Sequence, residues 1–207
     1  MKFFKKQYDK DYFNTMIDLV PKYSWDKKVD FILSYKNKGK LLEIGFGNGI
    51  LLKKLSKYFD VFGLDISEHN VKKASKIINN RKLFIGDIEK INTSKNYDVM
   101  LAFDVLEHLN NPAKTIKKIY NMLKKNGIFI FSVPNNYGLF GKISTLLFNF
   151  VDRTHRSTYK RVKWIKMIKE FNLECIDIIN ENWLGFYKNK LSKHFAYNLL
   201  IVCRKNN

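Results

Sequence analysis

Between Lys40 and Val133 the chain alternates apolar runs of strand length with longer segments of helical period, an order that few folds accept. Residues 40–45 read as a strand, and 48–58 as a helix with Leu51, Leu52 and Leu55 on one side. Residues 60–65 read as a second strand. Ser67 is a good N-cap for the helix that follows, whose apolar face is Val71, Ala74, Ile77 and Ile78. Residues 82–86 and 97–103 are the third and fourth strands. Pro112 opens a helix running to about Lys125, with Ile116, Ile119, Tyr120 and Leu123 inward. Asn126-Gly127 ends it, and 127–133 form a fifth strand. Repeated strand–helix–strand units require right-handed crossovers and a mostly parallel sheet.

The last third follows another pattern. An apolar helix over 139–151 and an amphipathic one over 158–171 precede two strands, 173–179 and 196–204, with no clear helix between them. A hairpin-like end on a parallel sheet predicts an α/β fold with a seven-stranded, mostly parallel sheet, helices on both faces and an antiparallel C-terminal strand. The first 39 residues read as a helical cap, with Tyr8, Tyr12 and Phe13 and a break at Pro21. With no internal repeat and no low-complexity linker, residues 1–207 are expected to form a single domain, with 139–171 a helical insertion.

Composition excludes several classes. Hydrophobic residues at 45% and charged residues at 28% suit a globular chain, not a disordered one. The N-terminus turns polar at once, and Lys142 interrupts the most apolar stretch, so a soluble, cytoplasmic protein without signal peptide or membrane span is expected. Cys175 and Cys203 match no metal-ligand spacing and read as reduced, buried thiols. The net charge of +19 comes from 38 basic residues, nearly all Lys and spread along the chain. That dispersion points to a solvated basic surface instead of a nucleic-acid stripe, though it favours an acidic substrate or an anionic membrane surface.

The first strand runs directly into Glu43-Ile44-Gly45-Phe46-Gly47-Asn48-Gly49 and then a helix. Glycines there permit a tight turn and close approach of a ligand to the main chain. Asp65, about twenty residues beyond Gly45, ends the next strand where a ribose-hydroxyl partner is expected. Strand, glycine loop, helix, strand and acid in register point to an adenosine-type ligand.

Residues 41–49 resemble the first motif of class I methyltransferases that use S-adenosyl-L-methionine (SAM). The resemblance continues through Gly63-Leu64-Asp65-Ile66-Ser67, Gly86-Asp87-Ile88, Phe103-Asp104-Val105-Leu106-Glu107-His108-Leu109 and Ser132-Val133-Pro134-Asn135, and covers about residues 40–204. Glu43 stands where Asp is more usual. The resemblance implies that Gly45 and Gly47 hold the methionine part of SAM while Glu43 braces the loop. It implies that Asp65 accepts from the ribose hydroxyls, Ile66 packs on adenine, Asp87 meets the adenine amino group beside Ile88, and Phe103 borders the methionine end.

The sulfonium of SAM is already an activated methyl donor, so a base is needed only where the acceptor must lose a proton. His108 and His155 are the candidates for that role; His69 and His194 are less well placed. Asp104, Glu107 and His108 have the i, i+3, i+4 spacing that could hold a divalent cation, an arrangement similar to that of ubiquinone-biosynthesis O-methyltransferases, but Val133-Pro134-Asn135 departs from that subgroup and the turn is expected to hold no metal. The 139–151 helix is expected either to pack on the sheet edge or to form a lid or a membrane-facing surface near the acceptor site. The expected activity is methylation, chiefly O-methylation, of a small-molecule acceptor of hydrophobic or acidic character. The alternatives are a nicotinamide-dependent oxidoreductase and a SAM-binding, non-catalytic partner subunit. Nucleic acid is disfavoured as a substrate because no Asn/Asp-Pro-Pro-aromatic motif follows the fourth strand.

Overall fold

The computed structural model describes residues 22–91, 96–135, 156–157, 159–182, 185–187 and 196–206, with the backbone alone at 22–24, 182 and 185–187. Tyr8, Tyr12, Phe13, Pro21, His155, His194 and the expected helix over 139–151 lie outside the described residues. Backbone proximity divides the chain into two compact units, residues 1–92 and 93–207.

The first unit runs α1 (Lys22–Leu33), β1 (Lys40–Ile44), α2 (Ile50–Leu55), β2 (Asp60–Asp65), α3 (Glu68–Ala74), a single 3-10 turn and β3 (Leu83–Ile85). β2 lies between β1 and β3 and runs parallel to both, with Leu41 opposite Val61 and Leu64 opposite Phe84. Leu41, Leu42, Ile44, Val61 and Leu64 are buried, as are Leu51, Leu52 and Leu55 on the expected face of α2. α2 is shorter than the pattern predicted, because Gly49 caps it in the left-handed conformation (φ 76) and the helix begins only at Ile50. Ser67 caps α3 as expected, accepting from the N–H of Asn70. That helix stops at Ala74, so Ile78 turns inward while Ile77, expected on the buried face, is 40% exposed.

The second unit runs β4 (Tyr97–Phe103), a 3-10 turn (Leu106–His108), α4 (Pro112–Met122), β5 (Leu123–Pro134), α5 (Arg161–Glu170), β6 (Leu173–Asn182), β7 (Gly185–Tyr187) and β8 (Asn198–Lys205). β4 and β5 are parallel; β8 is the expected antiparallel strand, pairing with β5 on one side and β6 on the other. The three-residue β7, antiparallel to β6, adds a strand beyond the seven expected. Val99 to Ala102 of β4 are buried throughout, as a central strand covered on both faces requires. Ile116, Ile119 and Met122 of α4 and Trp164, Met167 and Ile168 of α5 are buried, and the Trp164 ring meets Phe131 edge-on.

α4 ends at Met122, three residues before the expected limit, because Leu123 enters the ladder opposite Tyr97. Asn126 (φ 58) then bends β5 before Ile128 pairs with Val99. Tyr120, expected inward, is half-buried, with the Lys205 ammonium 4.4 Å from its ring centre. Cys175 and Cys203 face each other across β6 and β8, both as free thiols. Cys203 is buried as expected, whereas Cys175 is only half-buried. Among the described residues no helix is long and apolar enough to cross a membrane.

Candidate functional site

The glycine loop follows β1 directly. Gly45 donates its N–H to the Leu64 carbonyl at 2.7 Å, which stitches the loop to the end of β2. Gly47 (φ 56) has nothing within 4 Å of where a Cβ would stand, so the loop is open on that side. Gly49 (φ 76) is the opposite case, since a Cβ there would lie 2.8 Å from that of Ala74. One glycine therefore leaves space and the other permits packing. Two further loop donors are engaged within the chain: Asn48 Oδ1 accepts from Ile50 N, and the Phe46 carbonyl accepts from Gly49 N, each at 3.0 Å.

Asp65 ends β2 beside this loop. Its Oδ2 accepts from Gly47 N at 3.0 Å and its Oδ1 from Ser67 N at 2.8 Å. Asn70 Nδ2 straddles both oxygens at 3.3 Å. Burial pushes the Asp65 carboxyl up to about 6, against the pull of these donors. Glu43 lies within β1 and is also buried; its Oε2 has no hydrogen-bond partner among the described residues. Burial raises Glu43 to about 8, the Lys28 ammonium opposes that rise, and the Asp65 charge adds to it. Two desolvated carboxyls, one with an orphaned oxygen, thus flank an open glycine turn.

The other cofactor-side expectations fall unevenly. Ile66 is 40% exposed beside Asp65, an apolar surface available to a flat ring. Asp87 accepts from Glu89 N at 2.9 Å and pairs with Lys90 at 3.3 Å, while Ile88 is buried in the core. Phe103 closes β4 in the second unit, half-buried and opposite Ser132.

Beyond β4 the structure joins two segments far apart in sequence. The Glu107 carbonyl accepts from Arg156 N at 2.8 Å and Ser157 N at 2.9 Å. Ser157 Oγ donates to the Leu109 carbonyl at 3.3 Å, and the Arg156 guanidinium donates to Asn110 Oδ1. The chain is therefore pinned to the His108 turn at the residue directly after His155. His108 is half-buried on that turn, whereas the Glu107 side chain is buried and Asp104 is exposed. Among the described residues no three His, Cys, Asp or Glu side chains come together as a cation would require, so the helical spacing expected for Asp104, Glu107 and His108 is not realised. The reason lies in the backbone: Asp104 is left-handed (φ 53) and residues 106–108 form a 3-10 turn, which does not stack i, i+3 and i+4 as an α-helix does.

A polar group at the same end of the second unit was not foreseen. Ser132 Oγ accepts from Asp104 N at 2.9 Å and donates to Asp104 Oδ1 at 2.7 Å. Asn198 Nδ2 donates to the same oxygen at 2.8 Å. Tyr197, half-buried nearby, has its hydroxyl pushed above its ordinary range by burial and by the Glu181 and Asp104 charges. The signal available in sequence was Ser132-Val133-Pro134-Asn135 and a polar Asn198 just before the apolar run 199–203.

A model of the methyltransferase domain family matches residues 8–178, and the chain belongs to that family. Among curated proteins it is 29% identical over 157 residues to the ubiquinone biosynthesis O-methyltransferase of Pelagibacter ubique, across 72% of this chain and 62% of that protein. It is 33% identical over 101 residues to the malonyl-[acyl-carrier protein] O-methyltransferase of Priestia megaterium, across 46% of this chain and 37% of that one. The chain thus spans less than two thirds of the length of either relative. A SAM-dependent methyltransferase from Clostridium acetobutylicum superposes with a TM-score of 0.71 at 14% identity, across 95% of this chain and 96% of that one. That likeness establishes the expected Rossmann-like methyltransferase fold. The family match sets aside the nicotinamide-dependent oxidoreductase.

Proposed function

We propose that this chain binds SAM through the glycine loop and Asp65 and transfers its methyl group to an oxygen, hydroxyl or carboxyl, of a small molecule. The observation that carries the reading is the open turn at Gly47, hydrogen-bonded to the Asp65 carboxylate and flanked by the orphaned oxygen of Glu43. The chemistry fits. An ammonium group, such as the methionyl amine of SAM, would satisfy a buried carboxyl oxygen that has no partner. Ribose hydroxyls would replace the two long Asn70 contacts on Asp65, and Ile66 offers its exposed apolar face to adenine. Gly45 and Gly47 contribute a backbone without side chains around the methionine part, and Asp87, Ile88 and Phe103 complete the cofactor-side set.

When bound, SAM supplies a methyl group already activated by its sulfonium. What remains for the chain is to align an acceptor oxygen, exclude water and receive the hydroxyl proton. His108 and His155 are our candidates for the last task. Their neighbourhood is supported by the hydrogen bonds that pin Arg156 and Ser157 to the Glu107 carbonyl. O-methylation is favoured because both curated relatives described above are O-methyltransferases, one of ubiquinone biosynthesis and one acting on a malonyl-carrier protein.

The test is thermal melting of the full chain with SAM, S-adenosylhomocysteine (SAH) and a nicotinamide dinucleotide. Stabilisation by the first two alone supports the reading, and stabilisation by none, or by the dinucleotide, contradicts it. Release of SAH with an acceptor present separates an enzyme from a SAM-binding partner subunit.

A further inference from the structure

Asp104 has three unusual properties together. It directly follows the carboxyl end of β4, the side on which open α/β sheets receive ligands. Its backbone is left-handed (φ 53), a conformation uncommon outside glycine that Asp and Asn adopt more readily than other residues. Its side chain is oriented by two buried groups from other strands, Ser132 of β5 and Asn198 of β8, both of which donate to Oδ1.

That arrangement commits one carboxylate oxygen and leaves the other. No described residue donates to Oδ2, and no described Lys or Arg pairs with the carboxylate, in a chain whose net charge is +19. Some other exposed acids do take such partners: Asp26 pairs with Lys54, Asp60 with Lys82 and Glu174 with Arg204. Asp104 is instead backed by acid, since Asn198 Nδ2 also reaches Glu181 Oε2 at 3.4 Å. Among the described residues, then, no cation balances the exposed oxygen, which the two donors hold in a fixed position.

We propose that Asp104, oriented by Ser132 and Asn198, is a specificity-determining residue of the acceptor site. Its Oδ2 accepts the hydrogen bond of an acceptor hydroxyl and repels an ionised carboxylate. The inference rests on the SAM-dependent reading above and narrows O-methylation to hydroxyl acceptors. A carboxylate must be ionised to attack a methyl group, and it would then meet a like charge at close range. A neutral hydroxyl gains on binding where the carboxylate loses, because it donates to the ionised Oδ2, and it gives up its proton to the base only as the O–CH3 bond forms and the S–CH3 bond of SAM breaks.

The experiment uses the full chain with SAM and matched pairs of probes: phenol, catechol and a long-chain alkanol, each beside the carboxylic acid of the same skeleton. The variants are Asp104→Asn and Asp104→Gly, since both residues accept a left-handed backbone and leave the fold intact. SAH affinity is measured first. If the wild type does not bind SAH, the cofactor reading fails, and this inference falls with it before any acceptor is added. Where SAH binding is established, the wild type supplied with SAM is expected to methylate at least one hydroxyl probe and to prefer it over its paired acid. Both variants are expected to shift the hydroxyl-to-acid ratio of kcat/KM toward the acid by about tenfold or more, with SAH affinity unchanged in both and melting temperature unchanged in Asp104→Asn, which keeps Oδ1. Asn198→Ala should produce a smaller shift of the same sign, because it frees Oδ1 without removing the charge. Preference for the acids in the wild type, no methylation of any hydroxyl probe by a chain that binds SAH, or an unchanged ratio in both Asp104 variants would each overturn the assignment.

Discussion

Gly47 donates its main-chain N–H to Oδ2 of Asp65 at 3.0 Å, so the loop that follows β1 is tied to the acid that ends β2. One carboxylate thereby orders the turn and also stands where the ribose is proposed to bind. Asp65→Ala should weaken SAH binding by about 1–3 kcal/mol, the cost of leaving donors without their acceptor. Calorimetric titration of the variant measures this directly, and affinity equal to the wild type would remove Asp65 from the ribose site.

The raised position of Asp65, about 6, gives binding a pH dependence of known sign. Ribose hydroxyls donate to the ionised carboxylate, so SAH affinity should hold above pH 6 and decline as pH falls below it. Titrations between pH 5 and 8 read this out, and Asp65→Asn should abolish the slope.

Glu43 links stability to pH in a second window. Its carboxyl is raised from 4.5 to about 8 in the folded chain, so the folded state binds a proton that the unfolded state has already released. Its contribution is present in full below pH 4.5 and is lost as pH rises towards 8, after which it levels off. Glu43→Gln replaces the carboxyl with a neutral group of the same shape. Urea unfolding at pH 5.5 and at pH 9 should show a smaller loss of stability in the variant than in the wild type. Equal losses would contradict the buried, protonated Glu43.

Two glycine substitutions separate loop packing from ligand space. Gly49→Ala combines a left-handed residue with a 2.8 Å approach to Ala74 and should lower stability by about 2–4 kcal/mol. Gly47→Ala has only the conformational cost, about 1 kcal/mol, but its methyl enters the open side of the loop. Thermal melting should rank Gly49→Ala as the less stable of the two, with Gly47→Ala still folded but poorer in SAH binding. The reverse order would mean that the loop is packed differently.

Replacing His108 or His155 by Ala should leave SAH affinity within about twofold of the wild type and slow transfer to a hydroxyl by about 10²–10⁴-fold for whichever acts as base. Wild-type turnover in both variants would remove the general-base proposal.

The parts of the fold that local pattern specifies were legible in the sequence. β2 and β4 fall at the residues their apolar runs predict, and Ser67 and Pro112 mark helix starts because capping is a local interaction. Limits set by distant pairing were not. Leu123 leaves its helix to pair with Tyr97, and the three residues of β7 carry too little pattern to distinguish a strand from a loop. The candidate site divides in the same way. Glu43, Gly47 and Asp65 lie in one short stretch and announce themselves by spacing, whereas Asn198 reaches Asp104 across 94 positions with nothing local to mark it. The spacing of Asp104, Glu107 and His108 would put them on one face only in an α-helical turn, and the left-handed Asp104 instead precedes a 3-10 turn at 106–108.

The central claim, that the glycine loop and Asp65 form a SAM site, is tested most directly by calorimetric titration of the purified full chain with SAH at pH 7.5. The account predicts a single saturable site of about micromolar affinity, weakened in Asp65→Ala. A folded wild-type chain that gives no binding heat with either SAH or SAM would contradict it.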